Sequence, residues 1–474
     1  MFGGIHEECG VFGVYSTRQF RAADRVYLGL YALQHRGQES CGIALCDDGV
    51  FRHKKGDGLV NEVFGREQLN ALGEGNISIG HVRYSTTGGS NHSNIQPLVV
   101  RHIKGNLALA HNGNLTNAEE LRRSFELSGA IFHGTSDTEA ISYKIVSERL
   151  NSASTEEAVE KAMRDIKGAY SCLLMTATKL IAFRDPNGFR PLVLGKNESG
   201  WAVASESCAV ECAGYEFVRD ILPGEIVTID EMGVHSCTKH CGKQSSLCVF
   251  EYIYFARPDS AIEGASVHEA RKRAGRFLAK ESPVDADMVI GVPDSGIDAA
   301  LGYSEESGIP YGIGFVKNKY IGRSFIKPEQ SERENTVRIK LNAIRPAISG
   351  KRIVMIDDSI VRGTTSERIV RLLRDSGAAE VHVRISSPPF RYPCYFGTDV
   401  DSQENLIACS HSLEEIRDII GADSLAYLSE DAVKKLAPEA SCGFCCGCFT
   451  GEYPVPVPDM PAKNKFEEKI HKDK

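Results

Sequence analysis

The chain has 474 residues, 42% hydrophobic and 25% charged, with a formal net charge of −8. That length exceeds one ordinary core and predicts two domains, while the acidic balance excludes sequence-independent nucleic-acid binding, which needs a basic face. No apolar run approaches the roughly 18 residues of a bilayer span, no secretory signal opens the chain, and fifteen scattered cysteines fit a reducing compartment; no membrane association and a cytoplasmic location are expected.

Up to about residue 235 short strand-like runs dominate, at 11–15, 77–84, 107–110, 169–176, 180–184 and 201–205, with helices predicted over 22–34 and 137–150. Gly and Asn turns separate the runs, which predicts an α+β layered-sheet fold rather than regular βαβ alternation. Polar clusters interrupt the pattern. Cys9 stands immediately before the first strand, and His81-Val-Arg-Tyr-Ser-Thr-Thr-Gly88 puts Arg83 at a strand end with hydroxyls after it. His111-Asn-Gly-Asn-Leu115 reads as a tight turn. Thr135-Ser-Asp-Thr-Glu139 opens a helix that Asp137 could cap. Taken singly, each cluster has an ordinary structural explanation.

From about 236 to 455 strands alternate with helices. A strand at 287–291 leads into Val292-Pro-Asp-Ser-Gly296 and a helix, where Asp294 is either a ligand-loop residue or a cap. A strand at 352–356, a helix at 367–375 and a strand at 381–385 make a further βαβ unit, with Ile369, Val370, Leu372 and Leu373 on one helix face. This predicts a parallel sheet with ligands at the carboxyl ends of its strands. At such an end lies Asp357-Asp-Ser-Ile-Val-Arg-Gly-Thr-Thr365. Backbone N–H groups of a small-residue loop at a helix mouth cradle an anion. The paired acids would repel phosphate and suit ribose hydroxyls or Mg²⁺ instead. The combination reads as a sugar-phosphate site. The long basic stretch 314–340 reads as a solvated loop unless it closes over a ligand; Lys317, Lys319, Arg323 and Lys340 are its candidate anion contacts. Cys442, Cys445, Cys446 and Cys448 crowd one short segment. Such a cluster points to metal, and the spacing admits Zn²⁺ or an iron–sulfur cluster. Residues 456–474 read as a mobile solvated tail.

The first half resembles the glutamine-hydrolysing domain of N-terminal-nucleophile amidotransferases, through the Cys9 segment, Leu33-Gln-His-Arg-Gly-Gln-Glu-Ser40, the Arg83 cluster, Asn94-Ile-Gln-Pro-Leu98 and His111-Asn-Gly113. The resemblance implies a layered αββα domain over 9–235, preceded by a propeptide, 1–8. It implies that Cys9 becomes the N-terminal nucleophile, with its own α-amine as base. Asn112, through its side-chain amide, and Gly113, through its N–H, would form the oxyanion hole. Arg83 and Asp137 would hold the carboxylate and the ammonium of glutamine.

The second half, 236–455, resembles the α/β phosphoribosyltransferases, through the 357–365 loop that is their signature for 5-phosphoribosyl-1-pyrophosphate (PRPP). This implies Ser359, Arg362, Gly363, Thr364 and Thr365 as PRPP contacts, Ser295, Asp357 and Asp358 as Mg²⁺ contacts, and 314–340 as a lid. Both halves together resemble the glutamine PRPP amidotransferase family, which opens de novo purine synthesis. Its reaction converts glutamine, PRPP and water into 5-phosphoribosylamine, pyrophosphate and glutamate. Members with a short propeptide carry a [4Fe–4S] cluster, which implies Cys248, Cys394, Cys445 and Cys448 as ligands; Cys442 and Cys446 depart from that pattern. The resemblance also implies inhibition by purine nucleotides and a homotetramer. A PRPP-binding regulatory protein, the alternative, has no need of the complete Cys9, Arg83, Asn112, Gly113 and Asp137 set.

Overall fold

The computed structural model describes residues 9–84, 92–318, 341–398, 400 and 402–458. The expected propeptide 1–8, the hydroxyls 85–87, Lys319, Arg323 and Lys340 of the expected lid, and the tail beyond 458 lie outside the described residues.

Two antiparallel sheets make the first half. One has seven strands in the order Glu216–Asp220, Val193–Asn197, Gly200–Ala204, Gly10–Phe20, Gly75–Arg83, Ser40–Asp47 and Val50–Asp57. The other has six: Gly233–Cys237, Ile226–Asp230, Leu180–Arg184, Gly168–Met175, Gly105–Leu115 and Leu98–His102. They pack face to face: Val11, Ile77 and Ile79 of one share a core with Ala108, Ala110, Leu173 and Leu180 of the other. The outer face of the seven-stranded sheet is covered by the helix Ala22–Ala32, through Val26 and Leu30. The six-stranded sheet is covered by Asp137–Leu150 and Thr155–Ala162, through Ile141, Ile145 and Val159. The result is the layered αββα arrangement. Because the inner strands are covered on both faces, stretches such as Val11–Tyr15 and Ala169–Met175 are buried on both sides and do not alternate.

The second half centres on a four-stranded parallel sheet, in the order Met288–Gly291, Arg352–Asp357, Glu380–Ile385 and Ser424–Tyr427. Its side chains alternate between two cores. Val289, Val354 and Ile356 face the helices Val267–Glu281 and Gly296–Ser307, while Ile290, Ile353 and Met355 face Thr364–Asp375 and Leu413–Ile420. The first helix pair crosses so closely that a Cβ on Gly275 would meet the Ala299 carbonyl oxygen at 1.8 Å. That contact fixes the helix that follows the 292–296 loop.

Two expectations are corrected. His111–Leu115 is not a turn but the end of the strand Gly105–Leu115, with Asn112 opposite Ser171 and Gly113 opposite Tyr170. Its polar residues His111 and Asn112 stay buried, and Leu115 returns to the apolar core. Asp137 is not the cap of its helix; Ser136 occupies that position and accepts from the Thr138 N–H.

Candidate active sites

In the first half, the expected residues gather where the two sheets meet. Cys9 precedes the strand Gly10–Phe20, whose Gly10 is opposite Val82, so the thiol lies beside the end of Gly75–Arg83. Its Sγ donates to the Tyr84 carbonyl at 3.6 Å. Arg83 is buried there. His81 ties this strand to the opposite sheet, its Nε2 donating to the His111 carbonyl at 2.9 Å. Burial pushes the His81 imidazole down to about 3, so the ring is neutral and acts as a fixed strut. Gln96 holds the preceding peptide unit of the same residue, its Oε1 accepting from the His111 N–H at 2.7 Å.

That strut positions the next two residues. Asn112 is 1% exposed, and its Nδ2 has no hydrogen-bond partner. Buried donors are rarely left unpaired, and the exceptions need a reason. Gly113 sits at φ 138°, where a Cβ would come within 2.2 Å of the Ala169 carbonyl oxygen. Only glycine fits. Asp137 is buried, with Oδ2 accepting from the Leu115 N–H at 3.0 Å and Oδ1 3.3 Å from His111 Nδ1. Burial would raise its carboxyl, but His111 and the backbone N–H groups of Leu115 and Thr138 outweigh it and hold the value below the ordinary one. An ionised carboxylate at this place suits an ammonium ligand.

In the second half the two expected loops meet at the carboxyl ends of adjacent parallel strands. Ser295 Oγ donates to Asp358 Oδ1, and Ser359 Oγ to Asp358 Oδ2, both at 2.5 Å. Asp357 Oδ1 accepts from the Asp358 N–H at 3.0 Å. Burial, and then the neighbouring Asp358, drive the Asp357 carboxyl well upward; burial also raises Asp358 despite the two serines. Gly363, at φ 80°, is the cap of the helix Thr364–Asp375, whose N-terminus therefore opens onto these acids. The Thr365 Oγ1 is buried without a partner, while Arg362 and Thr364 are exposed. Asp294 does not cap the helix Gly296–Ser307; Ser295 holds the cap position, and the Asp294 carboxylate pairs with Lys317.

The four expected cysteines also converge. Cys248 and Cys445 are direct partners in the short parallel pairing of Leu247–Cys248 with Phe444–Cys445. Burial, then Cys394, Cys248 and Cys445, push the Cys448 thiol upward. Cys442 faces elsewhere, toward Glu263, Arg184 and Asp220. Among the described residues no three His, Cys, Asp or Glu side chains already stand as a metal-holding group.

The two halves touch beside these sites. Asn114 Nδ2 donates to the Tyr395 carbonyl at 2.9 Å, and Phe189 stacks on Phe396 with ring centroids 4.1 Å apart. Residues not assigned from sequence link them as well: Arg36, Arg190, Glu206 and Glu251 are wholly buried. Arg36 lies inside the Leu33–Ser40 motif but carries no chemical assignment from sequence. Glu206 had no sequence signal.

This fold and these paired sites define a class, a glutamine amidotransferase domain joined to a phosphoribosyltransferase domain. Residues 81–211 match the family model described as a glutamine amidotransferase domain. An amidophosphoribosyltransferase of Bacillus subtilis is 48% identical over 459 residues, covering 96% of this chain and 95% of the relative. One of Methanocaldococcus jannaschii is 48% identical, covering 95% of this chain and 98% of the relative. The solved structure of glutamine PRPP amidotransferase from B. subtilis, complexed with ADP and GMP, superposes with a TM-score of 0.87 at 47% identity, covering 95% of this chain and 98% of that one. A second solved structure, described as the allosteric regulatory enzyme of purine biosynthesis, gives 0.88 at 48%, covering 95% and 97%. The chain belongs to the amidophosphoribosyltransferase family.

Proposed function

We infer that this protein transfers the amide nitrogen of glutamine to PRPP, yielding 5-phosphoribosylamine, pyrophosphate and glutamate in the first step of purine synthesis. The observation that carries the residue assignment is the buried, unpartnered Asn112 Nδ2 beside the glycine-only position 113. A buried donor without a partner suits an oxyanion that exists only during reaction. Cys9 Sγ attacks the glutamine side-chain carbonyl, with the α-amine freed by loss of residues 1–8 as base. Asn112 and Gly113 stabilise the resulting oxyanion, ammonia leaves, and water releases glutamate from the thioester. Arg83 and Asp137 hold the two ends of the amino acid. Ammonia passes inside the protein to C1 of PRPP and displaces pyrophosphate.

Asp357, Asp358 and Ser295 are the residues that would hold Mg²⁺. Two adjacent buried carboxylates whose close donors are hydroxyls and a backbone N–H fit a dication. When bound it supplies charge neutralisation for the departing pyrophosphate. Ser359, Arg362, Gly363, Thr364 and Thr365 bind the sugar phosphate around the helix mouth. Cys248, Cys394, Cys445 and Cys448 would hold a [4Fe–4S] cluster, a reading supported by the pairing of Cys248 with Cys445 and by the nearness of Cys394, Cys248 and Cys445 to Cys448; Cys442 lies outside that set. When bound, such a cluster would supply a structural cross-link between the segments. Inhibition by purine nucleotides, a homotetrameric assembly and a cytoplasmic location belong to the same reading. Among the described residues no helix is long and apolar enough to cross a membrane.

The test compares wild type with Cys9→Ala, purified anaerobically and given PRPP and Mg²⁺ with either glutamine or ammonium. Wild type is expected to use both nitrogen sources and the variant only ammonium. Product from neither source would favour the PRPP-binding regulator.

A further inference from the structure

Four charged side chains that the chemistry above does not use form a buried bridge between the halves. The Arg36 guanidinium, fully removed from solvent, donates from Nε to the Cys9 carbonyl at 3.1 Å. Its Nη1 reaches Glu206 Oε1 at 2.7 Å and Glu251 Oε2 at 2.9 Å, and its Nη2 reaches Glu251 Oε1 at 2.7 Å. Glu251 thus grips Arg36 with both oxygens, the most directional form of ion pair. Arg190 adds Nη1 to Glu251 Oε1 at 3.3 Å and holds the Phe396 carbonyl from Nε and Nη2, at 3.1 and 2.7 Å.

Holding two domains together does not require such a bridge. Burying charges is costly, and packed apolar side chains of similar volume hold an interface as well or better. What the charges add is direction. Cys9 is a strand-end residue, and Arg36 Nε fixes its carbonyl; with that carbonyl fixed, the directions of the thiol and α-amine on the same Cα are narrowed. Glu251 in turn lies in the π-helical turn Glu251–Phe255, a form often found at functional positions. Arg271 secures this segment, donating to the carbonyls of Tyr252, Tyr254 and Ala256 at 2.8, 3.0 and 2.7 Å. Arg271 belongs to the helix Val267–Glu281 that packs on the parallel sheet.

We propose that Glu251, supplied by the phosphoribosyl half, is a positioning residue for glutamine hydrolysis in the other half, acting through Arg36 on the Cys9 backbone. This rests on the reading of Cys9 as the nucleophile. A contiguous set of contacts runs from the Arg271-held segment to Cys9, so a shift of the 251–256 turn changes the aim of the thiol.

The test uses the full chain as wild type, Glu251→Gln, Glu251→Asp and Cys9→Ala. Glutamine hydrolysis in the presence of PRPP and Mg²⁺ is measured beside ammonium-dependent phosphoribosylamine formation. Misaiming a nucleophile by a fraction of an ångström lowers kcat strongly. Glu251→Gln is therefore expected to lose about tenfold or more in glutaminase kcat, with KM for glutamine and the ammonium-dependent rate within about threefold of wild type. Glu251→Asp, which keeps the charge, should recover part of the loss. An unchanged glutaminase kcat in Glu251→Gln overturns the proposal. So does a parallel fall with both nitrogen sources, which marks a merely structural role. Should Glu251→Gln not fold, the same split is read on Glu251→Asp, expected to show a smaller glutaminase loss with ammonium use intact; equal losses there also overturn it. If wild type hydrolyses no glutamine, or Cys9→Ala still does, the parent reading fails instead.

Discussion

Replacing Asn112 by leucine separates function from stability more cleanly than any other substitution in the first site. The Asn112 Nδ2 is buried and unpartnered, and an unsatisfied buried donor costs the folded state about 1–3 kcal/mol. A leucine of nearly the same shape removes that cost and leaves no cavity, so folding stability is expected to hold or to rise by about 1 kcal/mol. Catalysis moves the other way. Losing one oxyanion-hole donor lowers kcat by about 10²–10³, or about 2.7–4 kcal/mol of transition-state stabilisation. The assay reads three quantities on one preparation: kcat with glutamine, the rate with ammonium, and the thermal midpoint. The expected result is a loss of glutamine-dependent kcat alone. Wild-type glutamine turnover in folded Asn112→Leu would refute the oxyanion assignment. A falling midpoint with loss on both nitrogen sources would show that the amide serves the fold.

Gly113→Ala should be harsher than Asn112→Leu, because a φ of 138° and a backbone oxygen 2.2 Å from the new Cβ must both be relieved. Strain of this kind costs about 1–3 kcal/mol before the clash is counted, and urea unfolding beside the glutaminase assay should show both losses. At the junction of the halves, burial, and then the neighbouring Glu263, push Asp220 up to about 6 from 3.8. The folded state therefore binds this proton more tightly than the unfolded one, and the associated stability, complete below pH 4, is lost as pH rises through 6. Asp220→Asn should leave the thermal midpoint near wild type at pH 4 and raise it at pH 7, by up to about 3 kcal/mol in stability. A midpoint difference independent of pH would place the effect elsewhere. For the cysteines, Cys448→Ser is expected to abolish iron content and visible absorbance in anaerobically purified protein, whereas Cys442→Ser should retain both. The reverse pattern would reassign the ligand set.

The sequence was readable where chemistry is local, and opaque where it depends on distant chain segments. The 357–365 loop combines its acids, its glycine and its helix start in nine residues, so a single stretch displays both the anion cradle and the paired carboxylates. The helix Asp137–Leu150 and the strand Leu180–Arg184 were legible to the residue, because their ends are marked by a hydroxyl cap and by turn residues. The hairpin of Ser40–Asp47 with Val50–Asp57 was missed for opposite reasons on its two strands. The inner strand, buried on both faces, shows no alternation, whereas the outer one is a Lys-bearing edge strand with a largely polar surface. His111–Leu115 was misread because Asn-Gly signals a turn only when φ > 0 is needed to reverse the chain. Here Gly113 has that φ inside a strand, where the approach of Ala169 demands it.

The bridge of Arg36, Glu206, Glu251 and Arg190 was invisible for a deeper reason. Its members come from four separated segments, and no local pattern distinguishes a glutamate that will be buried from one in solvent. What the sequence does show is that Arg36 sits in the Leu33–Ser40 motif, to which no chemistry of its own is assigned. The hydrogen bonds of the bridge centre on Arg36 and Glu251, and one of them, from Arg36 Nε, ends on the carbonyl of Cys9, the proposed nucleophile. Directional ion pairs at the junction fix the orientation of the groups they join, which a purely apolar contact would not do.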